Sequence, residues 1–88
     1  MKSKFPLNRC VEVLWNDITS SNTPWLSVKD AIEDCNPIEV KTIGYVMHED
    51  SKLLKLAMLQ TSSNGGEVGV TCVIPKGTII KMKVLKGL

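Results

Sequence analysis

Ile38-Glu39-Val40-Lys41-Thr42-Ile43-Gly44-Tyr45-Val46-Met47-His48, then Glu49-Asp50-Ser51-Lys52, then Leu53 through Thr61, form the most informative stretch of the chain. The first run is long and β-rich, and Gly44 breaks its alternation where a bulge or sharp bend is expected. The four polar residues after it make a tight turn. Leu53 to Thr61 then reads as an amphipathic return strand, with Leu54, Leu56 and Met58 opposing Leu53, Lys55, Ala57 and Leu59. A long bent strand feeding an amphipathic partner predicts an antiparallel sheet that curls on itself.

Toward the C-terminus, Ser62-Ser63-Asn64-Gly65-Gly66 is a hairpin loop with flexible glycines. Val68 to Ile74 is a strand with Val68, Val70, Cys72 and Ile74 on one face, and Pro75-Lys76-Gly77-Thr78 is a one-turn break. Ile79 to Leu85 closes the chain, with Ile80, Met82 and Val84 opposite Lys81 and Lys83. Toward the N-terminus, Cys10 to Trp15 is a first strand that passes through Asn16-Asp17 into the polar loop Thr19-Ser20-Ser21-Asn22-Thr23-Pro24. Ser27 then caps a helix, with Asp30 as the second half of a capping box, and Val28, Ala31, Ile32 and Cys35 form one apolar stripe. Asn36-Pro37 ends it, and the stripe needs a surface to lie on.

The expected fold is mainly β: an N-terminal arm over 1–9 and a single domain over 10–88. That domain is a small five-stranded, strongly bent antiparallel barrel with one short helix between its first and second strands. Closure suits a short chain because it removes exposed edges and makes one core.

With 88 residues, 43% of them hydrophobic, the chain holds one domain near the lower size limit for independent stability. No apolar run is long enough for a transmembrane helix, so no membrane partner is expected. Met1 to Arg9 is basic, but charged Glu12 arrives before any apolar core of a signal peptide. Cys10, Cys35 and Cys72 are widely spaced, and His48 alone cannot complete a zinc pattern with them. Free thiols in a reducing cytoplasmic compartment are the expectation, with no metal and no cofactor. The net charge of +2 conceals an asymmetry. From Asp30 to Asp50 six acids face one base, Lys41, whereas Lys76, Lys81, Lys83 and Lys86 follow Glu67 with no further acid. Such a division suits head-to-tail self-association or an anionic ligand, and equally a last strand whose lysines solvate its outer face.

The stretch Gly44 to Leu56 resembles the first conserved motif of Sm-like proteins: a glycine in a bent strand, an aspartate at Asp50, then an apolar–polar–apolar return from Leu53. The RNA-contacting asparagine of those proteins is replaced here by Leu54, and Cys72-Val73-Ile74-Pro75-Lys76 matches their second motif loosely. The helix follows the first strand rather than preceding it, an order nearer the Src-homology-type small barrel. From residue 10 to 85 the chain is also similar to small proteins encoded by tailed phages and prophages. The shared features are Trp15-Asn16-Asp17, Trp25, Thr42-Ile43-Gly44-Tyr45, Asp50 and Ile74-Pro75. That resemblance implies a small accessory protein of the host-cell cytoplasm and brings no settled activity with it.

Trp15, Asp17 and Trp25 flank the polar loop. As a pocket they offer two indoles for stacking a base and a carboxylate for an amine or ribose hydroxyl. Alternatively, both indoles pin the loop to a core short of aromatics. Lys76 and Thr78 in the one-turn break can meet phosphate, and Tyr45 completes the candidate ligand set. His48, Glu49 and Asp50 are the densest titratable cluster, but neighbours on a strand point to opposite faces. No nucleophile sits in a recognisable elbow, so no catalytic residue is assigned. The expected function is a non-enzymatic binding protein, a ring or dimer of barrels that binds or sequesters a nucleotide or cyclic nucleotide, in a phage as an anti-defence sponge. One alternative is a single-stranded nucleic-acid binder using Lys76, Lys81, Lys83 and Lys86. Another is a protein-interaction or structural module that inhibits a host protein.

Overall fold

The computed structural model describes residues 5–17, 25–34, 36–62 and 66–86. Five strands make one antiparallel sheet: β1 (Cys10–Asp17), β2 (Ile38–Glu49), β3 (Leu53–Gln60), β4 (Val68–Pro75) and β5 (Ile79–Leu85). A helix, α1 (Val28–Asp34), lies between β1 and β2 in the chain, and a 3-10 turn (Lys76–Thr78) joins β4 to β5. The strand order is β4-β3-β2-β1-β5, which puts the first strand between the second and the last. The fold is therefore mainly β with one helix, and its sheet is open, with β4 and β5 as its two edges. The expected loop from Thr19 to Pro24, the hairpin residues Ser63, Asn64 and Gly65, and Cys35 of the helical stripe lie outside the described residues.

Alternation along the strands builds the core. Val11, Val13 and Trp15 of β1 are buried with Leu54 and Leu56 of β3 and Ile74 of β4, and Val40, Val46, Cys72, Ile79 and Met82 pack against them. No residue of α1 is buried, so the helix contributes nothing to this cluster. The sheet supplies the cover itself by curling until β1 meets β3 and β4. Gly44 lets β2 lie close against β3: a Cβ there would lie 3.0 Å from Met58 Sδ, 3.1 Å from the Ala57 carbonyl oxygen and 3.2 Å from Leu56 Cβ. The bulge falls further on, because β2–β3 pairing steps from Val46↔Leu56 to His48↔Lys55 and leaves Met47 extra. Gly44 is held in regular register opposite Val11, and β1 ends its pairing at Tyr45, so only beyond that point can β2 bulge without breaking a ladder.

Asp50 makes the β2–β3 turn: its Oδ1 accepts from the backbone N–H of Lys52 and of Leu53, each at 2.8 Å. The segment before β1 is laid onto the sheet. Leu7 N–H donates to Gln60 Oε1 and Gln60 Nε2 donates to the Leu7 carbonyl, both at 2.9 Å, while Val46 N–H donates to the Arg9 carbonyl at 2.8 Å. Gly66, at φ +62°, faces Pro6 so closely that a Cβ would lie 2.7 Å from Pro6 Cγ.

Ser27 caps α1, its Oγ accepting from Asp30 N–H at 3.1 Å, and Asn36 Nδ2 donates to the Glu33 carbonyl at the other end. The stripe, expected to lie on a surface, stays exposed: Val28 is 77% and Ile32 70% accessible. The short link of residues 35–37, with Asn36-Pro37 at its end, bears on this. Proline fixes its own φ and holds the preceding residue extended, so the link does not double straight back, and none of the residues of α1 is buried.

A candidate anion-binding face

Register sets out the outer face of β2, β1 and β5 as three rows. Lys41, Leu14 and Lys81 form the first, Ile43, Glu12 and Lys83 the second, Tyr45, Cys10 and Leu85 the third. Side chains alternate across a strand, so these residues point away from the face that carries Val11, Val13 and Trp15. Lys41, Lys81 and Lys83 surround a shallow depression of about 250 Å³ floored by Leu14 and Glu12. Lys41 Nζ lies 3.3 Å from Glu12 Oε1. Among the described residues Lys81 and Lys83 have no carboxylate partner. Neighbouring strands lie about 5 Å apart, so Lys41 and Lys81 stand on backbones about 10 Å apart across Leu14. Three ammonium groups at that spacing can grip one phosphate or a short run of them.

The six sequence-derived ligand residues do not gather in one place. Trp15 is a core residue, 9% exposed, and its indole N–H donates to Thr42 Oγ1 at 3.0 Å. Asp17 ends β1 half-buried, paired with Ile38. Trp25 is 89% exposed, just ahead of α1. Tyr45 lies on the outer face and, with Phe5, Met58, Leu59 and Gln60, lines a separate apolar groove of about 270 Å³. Lys76 is engaged by Glu49, Nζ to Oε2 at 2.9 Å, and Arg9 takes the other oxygen at 2.9 Å. Those two hydrogen bonds, Lys76 first, hold the Glu49 carboxyl below its usual range. The Thr78 hydroxyl donates to the Pro75 carbonyl at 2.7 Å and so closes the 3-10 turn.

Of the nucleic-acid set, Lys81 and Lys83 share the outer face, Lys76 is bound elsewhere, and Lys86 follows the end of β5. Lys41 and Glu12 are the members that sequence reasoning missed. The signal lay in the expected barrel itself, since pairing the last strand with the first places the second and last strands on either side of the first. The titratable cluster is divided: His48 Nε2 contacts Asp50 Oδ2 at 3.1 Å, and Glu49 turns to Arg9 and Lys76. Among the described residues no three His, Cys, Asp or Glu side chains gather as metal ligands, and no helix is long and apolar enough to cross a membrane. No known protein family matches the chain, and no curated protein or solved structure does either.

Proposed function

We propose that the chain is a non-enzymatic binding protein of the small-barrel type, Sm-like or Src-homology-like, that self-associates and takes a nucleotide-like anion on the outer face of β2, β1 and β5. The observation that carries this reading is the trio Lys41, Lys81 and Lys83 around Leu14, in which two lysines lack a carboxylate partner among the described residues. The face moves the ligand from the loop tryptophans to the sheet; Trp15 belongs to the core, and Tyr45, in the third row, lines the separate groove beside the face. Three observations support the barrel: β1 between β2 and β5, the 3-10 turn before β5, and a core in which β1 meets β3 and β4. Edges β4 and β5, with Val68, Val70 and Val73 on one and Ile80 and Val84 on the other all exposed, suit pairing between copies. In a phage, such a cytoplasmic protein holds a host nucleotide signal out of use.

The test is a thermal-shift panel of mono-, di- and cyclic nucleotides with the wild-type protein and Lys81→Glu. Stabilisation by at least one nucleotide, lost in Lys81→Glu, is expected. A panel in which no member moves the wild-type melting temperature overturns the nucleotide reading. A polyanion that binds only at low salt, and weakens steeply as salt rises, favours a single-stranded nucleic acid on the same lysines.

A further inference from the structure

An isolated helix of seven residues is too short to hold itself together in water. The stability of α1 has to come from packing, yet none of its residues is buried. Trp25, two residues ahead of the Ser27 cap, is the most exposed large hydrophobic side chain among the described residues. The Cα trace is 58 Å long and only 24 × 23 Å across, long for a domain of this size.

We propose that Trp25 and α1 form an exchange arm that seats on the lysine face of a second copy of the chain. The two surfaces match in chemistry. The stripe Val28, Ala31 and Ile32 is accompanied by Asp30, Glu33 and Asp34 against one base, Lys29. Leu14 and exposed Ile43 on the outer face are accompanied by Lys41, Lys81 and Lys83 against one acid, Glu12. Acidic amphipathic helix and basic apolar face are complementary, whereas two helices or two faces laid together would repel.

The area is adequate as well. Trp25, Leu26, Val28 and Ile32 together present roughly 500 Å² of apolar surface, so reciprocal exchange in a two-fold dimer, counting the covered faces, approaches the roughly 1,600 Å² of a standard interface. With none of its residues buried, α1 is left where another molecule can meet it. This inference uses the same lysines as the anion site but does not rest on the nucleotide reading, since the arm is itself the anion. A bound ligand and the arm would compete for the face.

Sedimentation of the full chain tests it. The wild type is expected to dimerise, and Trp25→Ser/Ile32→Ser, both exposed positions whose change keeps the fold by circular dichroism, to weaken the dimer at least about tenfold. Charge reversal of the face (Lys81→Glu/Lys83→Glu) or of the arm (Glu33→Lys/Asp34→Lys) is expected to do the same. Mixing the two reversed chains is expected to restore a dimer, because each arm then meets a face of opposite charge. Association unchanged by Trp25→Ser/Ile32→Ser overturns the proposal and assigns assembly to the edges of β4 and β5. A wild-type monomer at all concentrations also overturns it. Trp25 emission, read in a Trp15→Phe background, then distinguishes an arm docked on the chain's own sheet (blue-shifted) from one left in solvent. None of these outcomes depends on the nucleotide panel, so the two readings fail separately.

Discussion

Thr42→Val is the substitution that best separates a structural Trp15 from a ligand-binding one. Thr42 Oγ1 accepts the indole N–H of Trp15 at 3.0 Å, and the indole is 9% exposed in the core. Valine keeps the shape of threonine and removes the acceptor, leaving a largely buried N–H without a partner, which costs about 1 to 2 kcal/mol. For a domain of 88 residues this lowers the melting temperature by about 5 to 10 °C. Trp15→Phe removes the donor instead and shrinks the core, for a comparable loss. The double variant loses the hydrogen bond only once, so its cost should fall about 1 kcal/mol short of the sum. Urea unfolding followed by circular dichroism measures all four corners of the cycle. In a Trp25→Phe background, fluorescence reports Trp15 alone and should be blue-shifted when folded. Costs that add to within about 0.3 kcal/mol, or a folded Trp15 that emits as in water, would refute the hydrogen-bonded core indole.

Gly66→Ala combines a left-handed backbone with a Cβ driven 2.7 Å from Pro6 Cγ, and should cost about 1 to 2 kcal/mol by urea midpoint; a neutral result means Pro6 does not lie there. Val70 holds φ at 51° on edge strand β4, a left-handed conformation that a β-branched residue resists, so Val70→Gly should raise stability by up to about 1 kcal/mol, and a loss would show that its side chain packs. The Asp50 carboxyl is lowered from its ordinary 3.8 to about 2, chiefly by the N–H groups of Lys52 and Leu53 and then by the His48 ring. A depressed acid stabilises the fold above its unfolded pKa and loses that contribution as pH falls through the folded one, here between pH 4 and 2. Asp50→Asn should therefore flatten the acid limb of the stability profile, and an unchanged limb refutes that assignment.

Where the determinants were local, the sequence was a good guide. Leu54 and Leu56, the Asp50 turn and the Ser27 cap all depend on neighbours a few residues away, and the structure has them as read. Trp15 follows the same logic. It continues the alternation of Val11 and Val13 into the core, and that parity outweighs its position at a loop. Asn16 and Asp17 went the other way: polar composition suggested loop, but opposite Glu39 and Ile38 the backbone ladder extends to include them. Lys41 looked like a lone base among acids because its partners, Lys81 and Lys83, stand on a strand some forty residues away, across β1. The stripe of α1 was visible, but its destination was not, because whether a helix folds back or stands off depends on the short link of residues 35–37 and on what already fills the core.

The strand order also dictates a sequence of events during synthesis. β1 leaves the ribosome first and pairs with β2 along its whole length, yet its other edge has no neighbour until Ile79 to Leu85 arrives at the very end. Throughout that interval β1, an interior strand of the finished sheet, is an edge strand. Its Val11, Val13 and Trp15 wait without Met82 and Ile79 to pack on. The pairing that completes the sheet also has the longest chain separation of any in the fold, and so the largest loop-closure cost. A chain cut short before β5 would leave β1 as a permanent sticky edge, and the seven residues of the final strand act as a built-in cover for it.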